Sequence, residues 1–347
     1  MRSRTPSLAS AVRSLAALTA IAVLASLAPL PGRAQPALVP VRVSLNPHFI
    51  TYTPVFDAID KGYFRDAGID LQLTKYQTSA NSQLPSLARG DLDITVVVPG
   101  PALFNQYDQG FDARVIASLS EAHPGYLDGS VMMVRKDLAD TIKKPSDLAG
   151  HTVDGAFQGS PIALLALQTI AAGNLKPGAV TFTTKDSAVP DQFAALLNKA
   201  VDVQGTTEPT ATAMQQQGLA VKWMSYRDVI PWYQESYWGV SAQFAKDHPD
   251  VVVKFLQAYL RGAADVSKSG GKMTPELVAL IAKWTEIPPD TIRAVGAVPY
   301  YGQNGTINTD SLDTVQKIWT TLALVKNPVP IAKIVDTQYI IAARKAH

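Results

Sequence analysis

Two stretches far apart in the chain follow one pattern: "LARGDLDITVVVPGP" (residues 87–101) and "LLNKAVDVQGTTEP" (residues 196–209). Each runs from a helix end through a small turn to an Asp between aliphatics, then a short strand and a proline that opens a helix. Asp93 and Asp202 hold the same place in each. A recurrence of this kind restricts the fold to two lobes of similar build. Strands and helices alternate around both stretches, which predicts an α/β fold with parallel strands. From Pro249 onward the pattern becomes mainly helical.

Four predicted strand-to-helix corners carry proline where the helix begins: Thr53-Pro54, Gly100-Pro101, Ser160-Pro161 and Glu208-Pro209. Proline at the first helical position sacrifices no hydrogen bond, because that N–H has no intrahelical partner. Thr53 and Ser160 read as the N-caps of their helices. The free N–H groups of each first turn, with the helix dipole behind them, suit an anion. One such corner is ordinary helix punctuation. Four of them, two in each half, favour a shared cleft at the carboxyl ends of the strands.

The amino terminus does not belong to this pattern. Arg2, Arg4 and Arg13 precede an apolar run from Leu15 to Leu30, which ends at Pro31-Gly32-Arg33-Ala34. This is the layout of a secretory signal peptide cut near Ala34, too short and too interrupted by Pro29 for a membrane span. Cutting there removes four Arg and no acids, leaving 27 basic against 29 acidic residues and a charge of about −2. Nucleic acid is therefore not an expected partner. The chain contains no cysteine, so it has neither disulfides nor a cysteine for a lipid anchor. Export without an anchor predicts a periplasmic protein.

Catalytic and metal motifs find no support. The five histidines, at 48, 123, 151, 248 and 347, form no HExxH or similar spacing, and without cysteine a zinc site has little to draw on. No G-x-S-x-G elbow exists. Gly271-Lys272 lacks the rest of a phosphate loop, and Asn304-Gly305-Thr306 is a sequon without weight in a chain with a bacterial-type export signal. The expectation is no catalytic residue, no metal and no cofactor. Two stretches are open to a binding role. "NPHFITY" offers Asn46, His48 and Tyr52 beside the first corner, and "PWYQESYWG" gathers Trp232, Tyr233, Tyr237 and Trp238. The aromatics serve either as packing between lobes or as a wall against a ligand.

The chain resembles the periplasmic substrate-binding proteins of nitrate, sulfonate, taurine and bicarbonate ABC importers, grouped with binders of thiamine-pyrimidine precursors. The stretches that carry the resemblance are "AIDKGYFRDAGIDLQL", "SLARGDLDITVVVPGPAL", "PSDLAGHTVDGAFQGSPIALLAL", "ALLNKAVDVQGTTEPTATAMQQQG" and "SAQFAKDHPDVVVKFLQAYLRGA", in family order. The resemblance implies a type II periplasmic-binding fold, with a ligand held between two α/β lobes joined by two crossing segments. Residues 35–125 and 236–347 would form lobe 1, and 126–235 lobe 2. It places ligand loops on Asn46 to Tyr52, on Pro99 to Pro101 with Gly100 between them, on Gly159 and Ser160, and on Thr207 and Glu208; Thr53 at the first corner and Tyr237 and Trp238 of the aromatic cluster are candidate contacts from the residues themselves. It also implies a monomer that hands a small anion to an inner-membrane ABC permease.

No Arg or Lys lies in these loops, so an anion would be held by neutral donors and helix ends. Glu208 acts either as a hinge or cap group or as a contact for an amine. The leading expectation is a receptor for an aliphatic or aromatic sulfonate. The alternatives are an aminopyrimidine, an aminosulfonate or an aromatic carboxylate as ligand, a sensory receptor, or an enzyme of the same fold resembling a pyrimidine synthase.

Overall fold

A computed structural model describes residues 37–345 apart from 47, 77–79, 186–187, 286 and 303. The expected signal peptide lies outside the described residues. The strands among the described residues are β1 (Val39–Leu45), β2 (Ile69–Lys75), β3 (Ile94–Val97), β4 (Ala113–Glu121), β5 (Ser130–Arg135), β6 (Thr152–Asp154), β7 (Thr181–Thr183), β8 (Val203–Thr207), β9 (Ala220–Ser225) and β10 (Gln234–Ser241). They form two sheets, in the order β2-β1-β3-β10-β4 and β7-β6-β8-β5-β9.

The two sheets repeat one plan. β1 pairs in parallel with β2 and β3, as β6 does with β7 and β8. In each sheet the fourth place is taken by the strand that follows a crossing between the two sheets and runs antiparallel, β10 in one and β5 in the other. The sheets are therefore mixed, not purely parallel as the alternation predicts. Crossing strands are the reason: they enter from the opposite end, and antiparallel pairing needs no helical return.

Asp93 and Asp202 explain the recurring sequence. The Asp93 carboxylate accepts the Arg42 amide at 2.7 Å, while its own amide donates to the Arg42 carbonyl at 3.0 Å. Asp202 treats Thr152 the same way, at 3.0 and 2.9 Å. Each carboxylate also meets an arginine, Arg42 in the first sheet and Arg135 in the second. Each aspartate thus clips the strand it precedes to its parallel neighbour and fixes the register.

Two of the expected helix starts are corrected. Thr53 is not a cap: the helix Thr53–Asp60 already includes it, Tyr52 holds the cap position, and the Thr53 hydroxyl donates to the Ile50 carbonyl. Pro209 precedes its helix instead of opening it. A cis Glu208–Pro209 bond turns the chain, and the helix runs Thr210–Gln216. Ser160 does cap the helix Pro161–Ala172, its hydroxyl accepting the Ala163 amide at 3.0 Å. The helix after Gly100 is only Pro101–Asn105, too short to build much of a dipole.

Carboxyl-terminal helices back the first sheet. The helix Pro249–Ser267 lies against Thr53–Asp60 so closely that a Cβ on Gly262 would stand 2.1 Å from the Pro54 carbonyl oxygen. Trp238 is fully buried there, edge-on to Phe255 and Tyr259 at 5.0 and 5.4 Å. A second apolar cluster runs from Val97, Phe104 and Trp319 through Tyr233 and Tyr237 to Met132 and Val203, so it spans both sheets.

Candidate ligand-binding site

A cleft of about 100 Å³ lies where the ends of β3, β6 and β8 face the first residues of β5 and β10. Phe49, Val96, Val98, Phe157, Pro161 and Ile162 give it apolar walls, and its polar groups are those of Thr51, Tyr52, Ser130, Ser160, Thr207, Glu208, Glu235 and Ser236. The described residues that line it include no Lys, Arg or His. Topology explains the position: parallel strands deliver their carboxyl ends to one edge, and the two antiparallel crossing strands begin at that same edge.

The expected site residues divide into three groups. Tyr52, Ser160, Thr207 and Glu208 line the cleft. Gly100 and Gly159 touch each other outside the lining, next to Ser160 in the chain, and Pro99 is held beside them by the Trp319 indole N–H, which donates to its carbonyl at 2.9 Å. The others lie apart from the lining. Asn46 is buried and its side chain accepts the His48 amide at 3.0 Å, His48 is exposed, and Thr53 is tied to Ile50. Tyr237 and Trp238 correct the expectation of an aromatic wall, since both are fully buried within the apolar clusters. β10 alternates its faces, and hydrophobic packing claims these two rings.

Glu208 is a structural group. Its Oε2 accepts the Thr212 amide at 3.1 Å and the Thr212 hydroxyl at 2.8 Å, and Lys222 forms an ion pair with its Oε1. The carboxylate therefore caps the helix Thr210–Gln216 and is neutralised in place. The cap reading of Glu208 accounts for these bonds.

Glu235 is the carboxyl in the cleft that sequence reasoning misses. Its Oε1 accepts the Ser130 hydroxyl at 2.9 Å, with the Tyr226 hydroxyl further off at 3.5 Å. Burial pushes its carboxyl up to about 7, helped by nearby Asp128 and opposed by the Ser130 and Tyr226 hydroxyls. The available signal is its place between Gln234 and Ser236 on a strand with an otherwise uncharged, apolar continuation.

A family model described as NMT1/THI5 like matches residues 50–269, more than half of the chain. The chain belongs to the NMT1/THI5-like family. Solved structures agree on the fold of this NMT1/THI5-like protein. The ligand-binding component of an ABC-type import system from Staphylococcus aureus, solved with zinc bound, superposes with a TM-score of 0.72 at 15% identity, over 88% of this chain and 98% of that one. The periplasmic aliphatic sulphonate binding protein SsuA from Escherichia coli gives 0.69 at 19% identity, over 86% and 92%. The desulfurization enzyme DSZB gives 0.64 at 16% identity, over 89% and 99%. A search of curated proteins found no match. The expected two-lobed periplasmic-binding fold is the fold of this NMT1/THI5-like chain.

Proposed function

We propose that this chain is the periplasmic solute receptor of an ABC importer, which encloses a small organic compound between its lobes and delivers it to an inner-membrane permease. The observation that carries the reading is the cleft itself: both sheets contribute strand ends to it, and Gly159, in contact with Gly100, directly precedes the lining residue Ser160. The segments 122–129 and 226–233 would be the crossings about which the lobes open, with lobe 1 and lobe 2 divided near residues 125 and 235. Binding without turnover, as a monomer, completes the reading.

The walls suit a flat or apolar body. A sulfonate or carboxylate end would be met by the Ser160 and Thr207 hydroxyls and by the start of the twelve-residue helix Pro161–Ala172. The likeness to SsuA supports a sulfonate. Bare nitrate or bicarbonate suits the cleft less, because the walls are apolar and the lining offers no cation.

A thermal-shift and calorimetry panel of aryl and alkyl sulfonates, taurine, aromatic carboxylates and amines tests the reading. A true ligand at a thousandfold its dissociation constant should stabilise the fold by about 4 kcal/mol. Small-angle scattering should show contraction on binding. Chemical conversion of the bound compound would favour an enzyme instead, a reading supported by the likeness to DSZB.

A further inference from the structure

Among the described residues that line the cleft, Glu235 is the carboxyl group with no cationic partner. Glu208 is bound by Lys222, and Asp128, the nearest other carboxylate, is bound by Arg227 Nε at 2.9 Å. The groups that face Glu235 from the surrounding elements are the phenols of Tyr52, Tyr226 and Tyr233, the Ser130 hydroxyl and the paired Asp128. None brings a positive charge.

The protein has also made room for this carboxyl. A Cβ on Gly129 would stand 2.4 Å from Glu235 Oε2 and 2.9 Å from Oε1, so the glycine is the cradle against which the group lies. Oε1 is occupied by Ser130, whereas no hydrogen bond to Oε2 is made by the described residues. A carboxylate among apolar walls is costly unless a partner compensates it. With no partner, it holds its proton to unusually high pH, as burial makes this one do.

We propose that Glu235 is the specificity-determining residue of the cleft, and that it selects ligands carrying a positively charged amine on a flat or apolar body. This rests on the receptor reading given above. An arriving ammonium supplies the missing charge, takes Oε2 and releases the proton from Glu235. A bare sulfonate docked beside it is repelled whenever Glu235 is ionised. A ligand bearing both groups would place its anionic end toward Ser160.

The test uses matched pairs that differ by the amine: benzylamine with benzyl alcohol, and taurine with ethanesulfonate, titrated by calorimetry at pH 6 and pH 8. The amine should bind roughly tenfold or more tightly than its partner in at least one pair. The advantage should grow from pH 6 to pH 8 as Glu235 loses its proton, and proton release measured in buffers of different ionisation enthalpy should accompany binding at pH 6. Glu235→Gln should abolish the advantage, and Glu235→Asp should restore part of it. Should Glu235→Gln fail to fold, the pH trend and proton release of the unaltered protein decide. Amine-free partners that bind as well, or an advantage that survives Glu235→Gln, overturn the proposal and leave the receptor reading intact. Silence from both pairs and from aryl sulfonates and carboxylates overturns both.

Discussion

Gly100 and Gly159 meet backbone to backbone: a Cβ on Gly100 would stand 2.3 Å from the Gly159 carbonyl oxygen. One corner belongs to the sheet of β1–β4 and β10, the other to the sheet of β5–β9. In this arrangement bare backbone of one sheet's corner touches bare backbone of the other's. Gly100 has an extended backbone, φ −97° and ψ 170°, which alanine adopts without strain. Gly100→Ala should therefore leave each lobe intact while holding the lobes apart. We expect affinity for any cleft ligand to fall by about tenfold or more, with a larger radius of gyration in the ligand-saturated protein. Unaltered affinity would show that closure does not depend on this contact.

Glu235 makes stability depend on pH. Its folded pKa of about 7 stands above the ordinary 4.5, so the native state holds the proton more tightly than the unfolded chain. This contribution is fully present below about pH 4.5 and is lost as pH rises through about 7, a swing of up to about 3 kcal/mol. Urea unfolding of the ligand-free protein between pH 5 and pH 8 should show the decline, and Glu235→Gln should flatten it. An equal slope in both proteins would mean that other groups set it.

Glu208→Ala should act on stability more than on recognition. It leaves the Lys222 ammonium unpaired and the first turn of Thr210–Gln216 uncapped. The pair is partly open to solvent through Lys222, so the loss should be about 1–3 kcal/mol in denaturant unfolding, short of the cost of breaking a fully buried pair. A change in ligand preference without loss of stability would contradict the structural role.

Ser160→Ala should cost both. Its hydroxyl caps the Pro161–Ala172 helix and also faces the cleft. Loss of the cap is worth about 1 kcal/mol of stability, read as a lower urea midpoint, and affinity for ligands with an anionic end should fall alongside. Ser160→Asp should keep the cap but repel such ligands, which separates the two effects.

The two-lobe α/β plan was legible because its signals are local. The Asp93 and Asp202 stretches and the proline after each strand are read within fifteen residues of chain, and the structure places both aspartates in the same clip. Ser160 was legible for the same reason, since a serine followed by proline and an aliphatic run is a cap signal in itself. What escaped depended on contacts distant in sequence. Tyr237 and Trp238 are polar-tipped rings that look free in "ESYWG", and only the helices that follow bury them. Glu208 needed Lys222 from β9 to reveal its pairing, and Glu235 needed Gly129 and Ser130. The antiparallel entry of β5 and β10 was hidden too, because periodicity reports burial and not direction.

The sheet order also sets a timetable for the growing chain. β5 to β9 come from one uninterrupted segment, residues 130–225, so that sheet has all its strands once this segment is made. β4 is different: among the described strands it pairs with β10, which arrives only at residues 234–241, and its isolated bridges reach Tyr300 and Val335, later still. Until then one edge of the amino-terminal half ends at β3 and the strand Ala113–Glu121 has nothing to pair with. The half synthesised first is the half finished last, and its apolar strand Ala113–Glu121 is the piece most in need of shielding while the rest is made.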